Sequence, residues 1–315
     1  MTNAINSTDI PAIENSLSRP DRMAHCPACN AVEQQKYLYP VNNCAVTRCA
    51  GCGVGRALPD AFDPAAYYTG DYFNGGREDG YFDYEHSADV LRREFRAIVE
   101  DLQTQFGPGA RLLEVGCAYG YFLQEARHHF DVEGIEISRD AVHACHRAGL
   151  TQVRCGTIAS VQLDELGGFD VIVMLDVIEH LEHPSEDIER LASLLRPGGM
   201  IVISTGDFSS FFARRMGRRW RLLTPPQHLW FFTPKAIDHM ARRSGLRTLR
   251  VKYPWKLIPV SLIAHQAKRM LGWNWLPIPK LLSAVGVPVN LFDAMRISLR
   301  KELECAASAT PARSS

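Results

Sequence analysis

The sequence predicts an α/β fold, a mostly parallel sheet with helices on both faces, and three observations carry that prediction. Short apolar runs recur at Leu112–Val115, Val132–Ile135, Val153–Cys155, Val171–Leu175 and Ile201–Ser204, each the length of a buried strand. Between them lie stretches of helical composition, for example Arg139–Ala148 and Ser185–Leu195. The first run ends in a glycine-bearing turn, Gly116 to Gly120, and Tyr121 to Arg127 then reads as a helix.

A strand, a glycine turn and a helix in that order make a nucleotide-type site. The turn lets backbone approach a ligand closely, and the first helix N–H groups point at it. The second run ends in an acid, Glu136, at a distance from the turn that suits hydrogen bonds to ribose hydroxyls. A dinucleotide fingerprint needs three glycines as G-x-G-x-x-G, whereas the pattern here is Gly116-x-x-x-Gly120, so NAD is disfavoured.

The stretch Leu113-Glu-Val-Gly-Cys-Ala-Tyr-Gly120 resembles the first motif of class I S-adenosylmethionine (SAM) methyltransferases, and Glu136 matches that family's ribose-binding acid. Phe169-Asp-Val-Ile-Val-Met-Leu-Asp-Val-Ile-Glu-His180 resembles the segment at the family's fourth strand, and Leu195-Arg-Pro-Gly-Gly199 the turn before its fifth. The resemblance covers roughly Ala110 to Ser204. It implies a Rossmann-like, seven-stranded, mostly parallel sheet whose last strand, Leu291–Arg300, runs antiparallel, with SAM as cofactor.

Met1–Pro20 mixes Ser, Thr, Asn and Pro without periodicity and reads as a loose tail, as does 304–315. Cys26-Pro-Ala-Cys29 and Cys49-Ala-Gly-Cys52 have the spacing of two zinc knuckles within 21–59. Four thiolates close a tetrahedral Zn2+ shell and leave no position for catalysis, so the expected ribbon is structural. Cys44 and His25 are read as a core thiol and an exposed imidazole. A ribbon of this kind resembles the N-terminal module of bacterial small-molecule and glycan methyltransferases.

Residues 60–107 read as an aromatic and helical cap. Tyr67, Tyr68, Tyr72, Phe73, Tyr81, Phe82 and Tyr84 come first; Val90, Leu91, Phe95, Ile98, Val99 and Leu102 then recur at helical spacing. Tyr81-Phe-Asp-Tyr84 resembles a segment that covers the cofactor in related enzymes; simple aromatic packing is the alternative. The methyltransferase domain is expected over 108–303. Thr233-Pro234 starts a late helix that Gly245 ends, and Leu246–Tyr253 reads as a sixth strand. Two insertions, 208–226 and 255–289, carry basic and aromatic residues. Arg214, Arg215, Arg218, Arg219 and Arg221 lie in the first, and Trp255 to Val289 suggests peripheral membrane contact or ordinary packing under snorkelling arginines. In the family such insertions build the acceptor pocket.

The residues assigned to SAM are Glu114, Gly116, Cys117, Ala118, Tyr119, Gly120, Glu136, Ile137, Thr157 and Asp176. Gly116 and Gly120 admit the methionine part, Glu114 orders the loop by accepting backbone N–H groups, and Ile137 lies against adenine or belongs to the core. The family's acid after the third strand is absent from Cys155-Gly-Thr-Ile158, which leaves adenine to backbone or Thr157. Tyr119 and Phe122 flank the cofactor or pack the helix. Candidate bases are His180, beside Glu179, and His228 in Pro225-Pro-Gln-His-Leu-Trp-Phe-Phe232. The expected acceptor is a hydroxyl of a small molecule or glycan. C-methylation of a nucleotide sugar, RNA methylation and a non-catalytic SAM-fold module stand as alternatives.

Lys and Arg number 35, as do Asp and Glu, which argues against global nucleic-acid binding. The start of the chain has no apolar signal core, no run is long enough to span a bilayer, and nine cysteines with a metal-like cluster suit a reducing compartment. A soluble cytoplasmic protein is the expectation.

Overall fold

The structure is a computed structural model, and it describes residues 26–32, 35–59, 62–68, 84–162, 168–271 and 279–303. Both expected tails, His25, the segment from Tyr72 to Asp83 and residues 272–278 lie outside the described residues.

The first three strands are β1 (Gln35–Val41), β2 (Cys44–Cys49) and β3 (Gly55–Leu58), an antiparallel meander. The short helix α1 (Pro64–Tyr67) and the long α2 (Ala88–Gln103) follow. On α2, Val90, Leu91, Ile98, Val99 and Leu102 are buried, which is the stripe the sequence spacing predicts.

The central sheet takes β4 (Arg111–Val115), β5 (Asp131–Glu136), β6 (Val153–Cys155), β7 (Phe169–Leu175) and β8 (Leu195–Gly206). Helices α3 (Tyr121–Ala126), α4 (Arg139–Arg147) and α5 (Pro184–Leu194) connect them. After α6 (Phe211–Met216), β9 (Trp230–Phe231) and α7 (Pro234–Arg243) come β10 (Leu246–Lys252) and β11 (Lys256–Pro259). The last elements are α8 (Val260–Leu271), β12 (Gly286–Val289) and β13 (Ala294–Lys301).

The seven-stranded order is β10-β13-β8-β7-β4-β5-β6. Strands β4 to β8 pair in parallel, and β13 is antiparallel to both β8 and β10. This is the Rossmann-like class I methyltransferase fold. Val171 to Met174 are fully buried because helices cover both faces, so β7 reads as an unbroken apolar run. The chain builds β4, β5 and β6 outward and then returns to the other side of β4 for β7. Ligands bind at such a reversal, beyond the carboxyl ends of the strands.

One sequence expectation is corrected. Leu195 to Gly199 is not a turn ahead of the fifth strand: β8 already begins at Leu195, opposite Phe169, and an irregularity carries the register to Val171 opposite Met200. Gly198, at φ +79°, absorbs that irregularity. Within the apolar and basic segment 255–289, the described residues form β11 and β12, paired antiparallel, with α8 following β11 directly.

The cysteine-bearing module does not fold apart from the rest. Its sheet has the order β1-β2-β3-β9, with Gly55 opposite Phe231 and Arg56 opposite Trp230. Cys26, Cys49, Cys52 and Val54 share one buried cluster with Ile188, Phe232 and Ile237. Thr233 caps α7 by accepting from the Ala236 N–H at 3.0 Å, and its hydroxyl donates to the Cys52 carbonyl at 2.8 Å.

Candidate active site

Gly116 (φ +70°), Ala118 (φ +46°) and Gly120 (φ +72°) all take the left-handed conformation, so the chain doubles back sharply after β4. A Cβ on Gly116 would lie 2.5 Å from Val177 Cγ2, and one on Gly120 would collide with Leu150. The turn therefore fits only without side chains at those two positions, where Val177 and Leu150 pack against its backbone.

One of the two acids beside this turn departs from the part expected of it. Glu136, rather than Glu114, orders the loop. Its Oε2 accepts from the Ala118 N–H and its Oε1 from the Ser138 N–H, both at 2.8 Å. Burial raises the Glu136 pKa, and those amides work against the rise. Glu114 is 3% exposed, and its Oε2 has no hydrogen-bond partner among the described residues. Burial pushes its carboxyl well above the usual range, with Cys145 and Glu136 adding to the effect. A buried carboxyl oxygen without a donor, beside a backbone cradle, fits a cationic ligand group such as the ammonium of SAM.

Around the turn, Cys117 is buried, and Tyr119 packs edge-on to Tyr84 at 5.6 Å. Tyr84 in turn stacks on Tyr121 at 5.2 Å. Phe122 belongs to the core, against Phe95, and not to the loop surface. Ile137 is half-buried at the end of β5. Thr157 is exposed, and both its N–H and its hydroxyl engage Ser160 Oγ, at 2.8 and 3.2 Å.

Beyond β7 the backbone turns at Asp176 (φ +56°) into a short 3-10 turn, Ile178–His180. Asp176 accepts from Ser204 Oγ at 3.1 Å and from Lys256 Nζ at 2.7 Å, which brings the start of β11 onto the strand end. Burial works upward on Asp176, but the Lys256 ammonium and the Ser204 hydroxyl outweigh it and hold the carboxyl below its usual value. Glu179 is buried, accepts from Thr205 Oγ1 at 2.8 Å, and is raised to about 8 by burial with the Asp176 charge adding to it.

His180 and His228 lie together, their ring centres 4.7 Å apart and steeply inclined. His180 Nδ1 stands 2.7 Å from the Gln227 carbonyl and also 2.7 Å from the Tyr68 hydroxyl. His228 Nδ1 stands 2.7 Å from the Leu222 carbonyl. Burial lowers both pKa values. For His228 the neighbouring His180 ring adds to it and the value falls to about 3, so the two imidazoles are neutral at physiological pH. A cavity of about 10 Å³, the room of one water molecule, opens beside Glu179, Thr205, Trp220 and His228.

The paired cysteines converge. Cys26 and Cys52 Sγ are 3.7 Å apart, as are Cys29 and Cys49 Sγ, and all four sulfurs lie within 4.8 Å of one another. Zinc–sulfur bonds of about 2.3 Å at tetrahedral angles place sulfurs about 3.8 Å apart, so these thiols fit the ion. Cys44 is buried in the core of the same module.

The pairing of Tyr68 with His180 was missed in the sequence. Tyr68 precedes His180 by 112 residues and is one of several aromatics in its stretch of sequence, so no local signal marks it.

The methyltransferase-domain family matches residues 84–251, just over half of the chain. The chain belongs to that family. It is a SAM-dependent methyltransferase of class I. Among curated relatives, this methyltransferase is 26% identical over 174 residues to a ubiquinone biosynthesis O-methyltransferase of Bordetella avium, a match covering 51% of this chain and 70% of that one. It is 33% identical over 150 residues to the protein of the same name from Cereibacter sphaeroides, covering 44% of this chain and 60% of that one. Among solved structures it is similar to magnesium protoporphyrin IX methyltransferase from Synechocystis with bound SAM, at 14% identity and a TM-score of 0.47, covering 78% of this chain and 100% of that one. A SAM-dependent methyltransferase from Archaeoglobus fulgidus is similar at 18% identity and a TM-score of 0.45, covering 67% of this chain and 94% of that one. Among the described residues no helix is long and apolar enough to cross a membrane.

Proposed function

We propose that this methyltransferase moves the SAM methyl group to a hydroxyl of a small molecule or a glycan conjugate. The observation that carries the reading is the His180–His228 pair, two imidazoles side by side beyond the carboxyl end of β7, the same end of the sheet at which the neighbouring β4 runs into the glycine turn. The names of the curated relatives, O-methyltransferases of a small molecule, support it.

The cofactor supplies an electrophilic methyl group on a sulfonium. In this reading Gly116, Cys117, Ala118, Tyr119 and Gly120 hold its methionine part by backbone, with Glu114 facing the ammonium. Glu136 keeps a free lone pair on each oxygen for the ribose hydroxyls while ordering the loop. Ile137 and Thr157 border the adenine, and Asp176 lines the strand end next to it. The acceptor hydroxyl lies against Nε2 of His180 or His228, which takes its proton as the oxygen attacks the methyl carbon and the carbon–sulfur bond breaks.

The supporting parts are assigned in the same way. Residues 21–59 form a structural zinc ribbon through Cys26, Cys29, Cys49 and Cys52; 60–107 cap a transferase domain of 108–303, and the protein works in the cytoplasm. Among the described residues of 255–289, Trp255, Leu281 and Val285 are exposed by 66, 78 and 49%, which supports peripheral contact with a membrane surface. Labelled SAM incubated with cell fractions tests the reading. Label in small molecules, lipids or glycans is the expected result; label in RNA alone overturns the acceptor class.

A further inference from the structure

We propose that Lys256 is a catalytic residue of the transfer: its ammonium holds the acceptor oxygen and stabilises the charge that develops there as the proton leaves. The inference rests on the acceptor reading above and adds to it the group that makes proton removal feasible.

The histidines alone are poorly equipped for the proton. Burial lowers the basicity of both His180 and His228. A weak base takes a proton from a hydroxyl only where the resulting oxyanion is strongly stabilised. A cation beside the acceptor oxygen does this.

Lys256 stands where such a cation is needed. Its Nζ donates to the Asp176 carboxylate at 2.7 Å, at the carboxyl end of β7. Asp176 acts on the His180 ring through both its charge and its backbone, and its charge reaches His228. The Lys256 charge in turn reaches Glu179. The Lys256 side chain is 20% exposed and that of Asp176 51%, so the pair borders solvent at the strand end, where an acceptor can enter. An ammonium has three N–H donors, and Asp176 is the only hydrogen-bond partner of this one among the described residues. Two N–H groups therefore remain for an oxygen ligand. The neighbouring cations are committed elsewhere: Arg221 donates to Asp293 at 3.0 Å, and Arg296 faces Glu94 at 3.9 Å.

The ammonium keeps its charge. Burial works against it, but the Asp176 and Glu94 carboxylates outweigh burial and raise the Lys256 pKa. Lys256 therefore donates hydrogen bonds and does not itself take the acceptor proton. Its position is fixed from two sides. β11 pairs with β12, Lys256 opposite Val289, and the Glu94 carboxylate on α2 accepts from the Leu257 N–H. Asp176 holds a left-handed backbone at φ +56°, a conformation uncommon without glycine. Such strain persists where the surroundings enforce it, and it clusters at active sites.

In the transfer, the acceptor O–H bond breaks and its proton passes to Nε2 of His180 or His228. The oxygen, held by the Lys256 ammonium, keeps the electron pair and forms a bond to the methyl carbon. The carbon–sulfur bond breaks, and its electron pair returns to sulfur, which loses its positive charge.

The test is turnover of the full chain with isotopically labelled SAM, on the cell fraction that takes label from wild type. A dilution series of that fraction separates kcat from KM, and SAM calorimetry on every variant checks folding. Lys256→Met, which keeps the length of the side chain without its charge, should lower kcat by about a hundredfold and change SAM affinity by less than about threefold. Lys256→Arg should keep about a tenth of the wild-type rate. Lys256→Ala should regain turnover when methylammonium is added, with SAM affinity unmoved; a lysine that only braced the fold would show its loss in SAM affinity and melting temperature instead. If Lys256→Met fails to bind SAM, Lys256→Arg and the rescued alanine variant are read in its place. Full kcat in Lys256→Met, a loss confined to KM, or an alanine variant that methylammonium does not restore overturns the proposal and leaves the acceptor reading standing. Label missing from every small-molecule, lipid and glycan fraction removes the acceptor reading itself, and the role of Lys256 with it.

Discussion

Arg56 on β3 lies opposite Trp230 on β9, and its guanidinium sits 5.2 Å from the centre of the indole ring. The Trp230 indole N–H donates to the Leu181 carbonyl at 2.9 Å, one residue past His180. The cysteine module thus grips the chain on both sides of the histidine pair: β9 begins two residues after His228, and its first side chain ties back to the His180 turn.

Loss of the four-sulfur site should therefore be felt at the histidines before it is felt at the glycine turn. Cys49→Ser is expected to remove about one zinc per chain. Methyl transfer should fall more than tenfold, on the order of 1.4 kcal/mol or more, with SAM affinity changed less than about threefold. Metal content by mass spectrometry, turnover and SAM calorimetry on one preparation check this. Zinc-free protein with full turnover would separate the module from the site.

The two buried acids at the turn make opposite predictions. Glu136→Ala removes the acceptor of two backbone N–H groups together with the proposed ribose contact, and SAM affinity should drop by roughly 1–3 kcal/mol. Glu114→Gln removes a buried acid with an unpartnered oxygen, so the SAM-free protein should melt no lower than wild type while SAM binds more weakly. Calorimetry and thermal melts with and without SAM distinguish the two. A Glu114→Gln protein with wild-type SAM affinity would place the ammonium elsewhere.

Gly116→Ala should abolish SAM binding more completely than either acid substitution. Its Cβ meets Val177 at 2.5 Å, and φ +70° is strained for any side chain. The strain alone costs about 1–2 kcal/mol, and the collision displaces the 3-10 turn that carries Glu179 and His180. Equilibrium dialysis with labelled SAM and a denaturant titration measure both effects; near-normal affinity in the alanine variant would mean the turn does not approach the cofactor.

Asp187, in the first turn of α5, is raised from 3.8 to about 6 by burial, with Glu186 and Glu182 adding and His183 and Arg190 opposing. Between those two values the folded chain holds a proton that the unfolded chain has released, so stability falls as pH rises through that window and stays lower above it. Asp187→Asn removes the effect. It should be more stable than wild type by about 1 kcal/mol at about pH 7, allowing for solvent screening, and equal to it near about pH 3.5. Urea titrations at the two pH values decide the matter, and an advantage of equal size at both would exclude titration as its cause.

The sheet was legible because its signals are local. Leu112–Val115, Val132–Ile135 and Val171–Leu175 needed only composition and length, and Thr233 with Pro234 and Gly245 marked the ends of α7 before any fold was known. The resemblance supplied the antiparallel last strand. Leu195–Gly199 misled because a strand that contains a bulge reads as a turn when its partner, Phe169–Val171, is out of sight.

The site divides along the same line. The sequence by itself determined which candidate residues stand at which spacing: two Cys-x-x-Cys knuckles, a glycine turn with an acid on the next strand, and two histidines near strand ends. Only the tertiary structure decided what those residues do for one another. It gave the loop amides to Glu136 and left Glu114 Oε2 without a hydrogen-bond partner among the described residues, and it set His228 beside His180. It also made Trp230 and Phe231 the fourth strand of the cysteine module. Identity and spacing are written along the chain. A hydrogen bond's direction, and the choice between neighbouring acids, depend on groups brought within about 3 Å from distant segments, which only the packed core fixes.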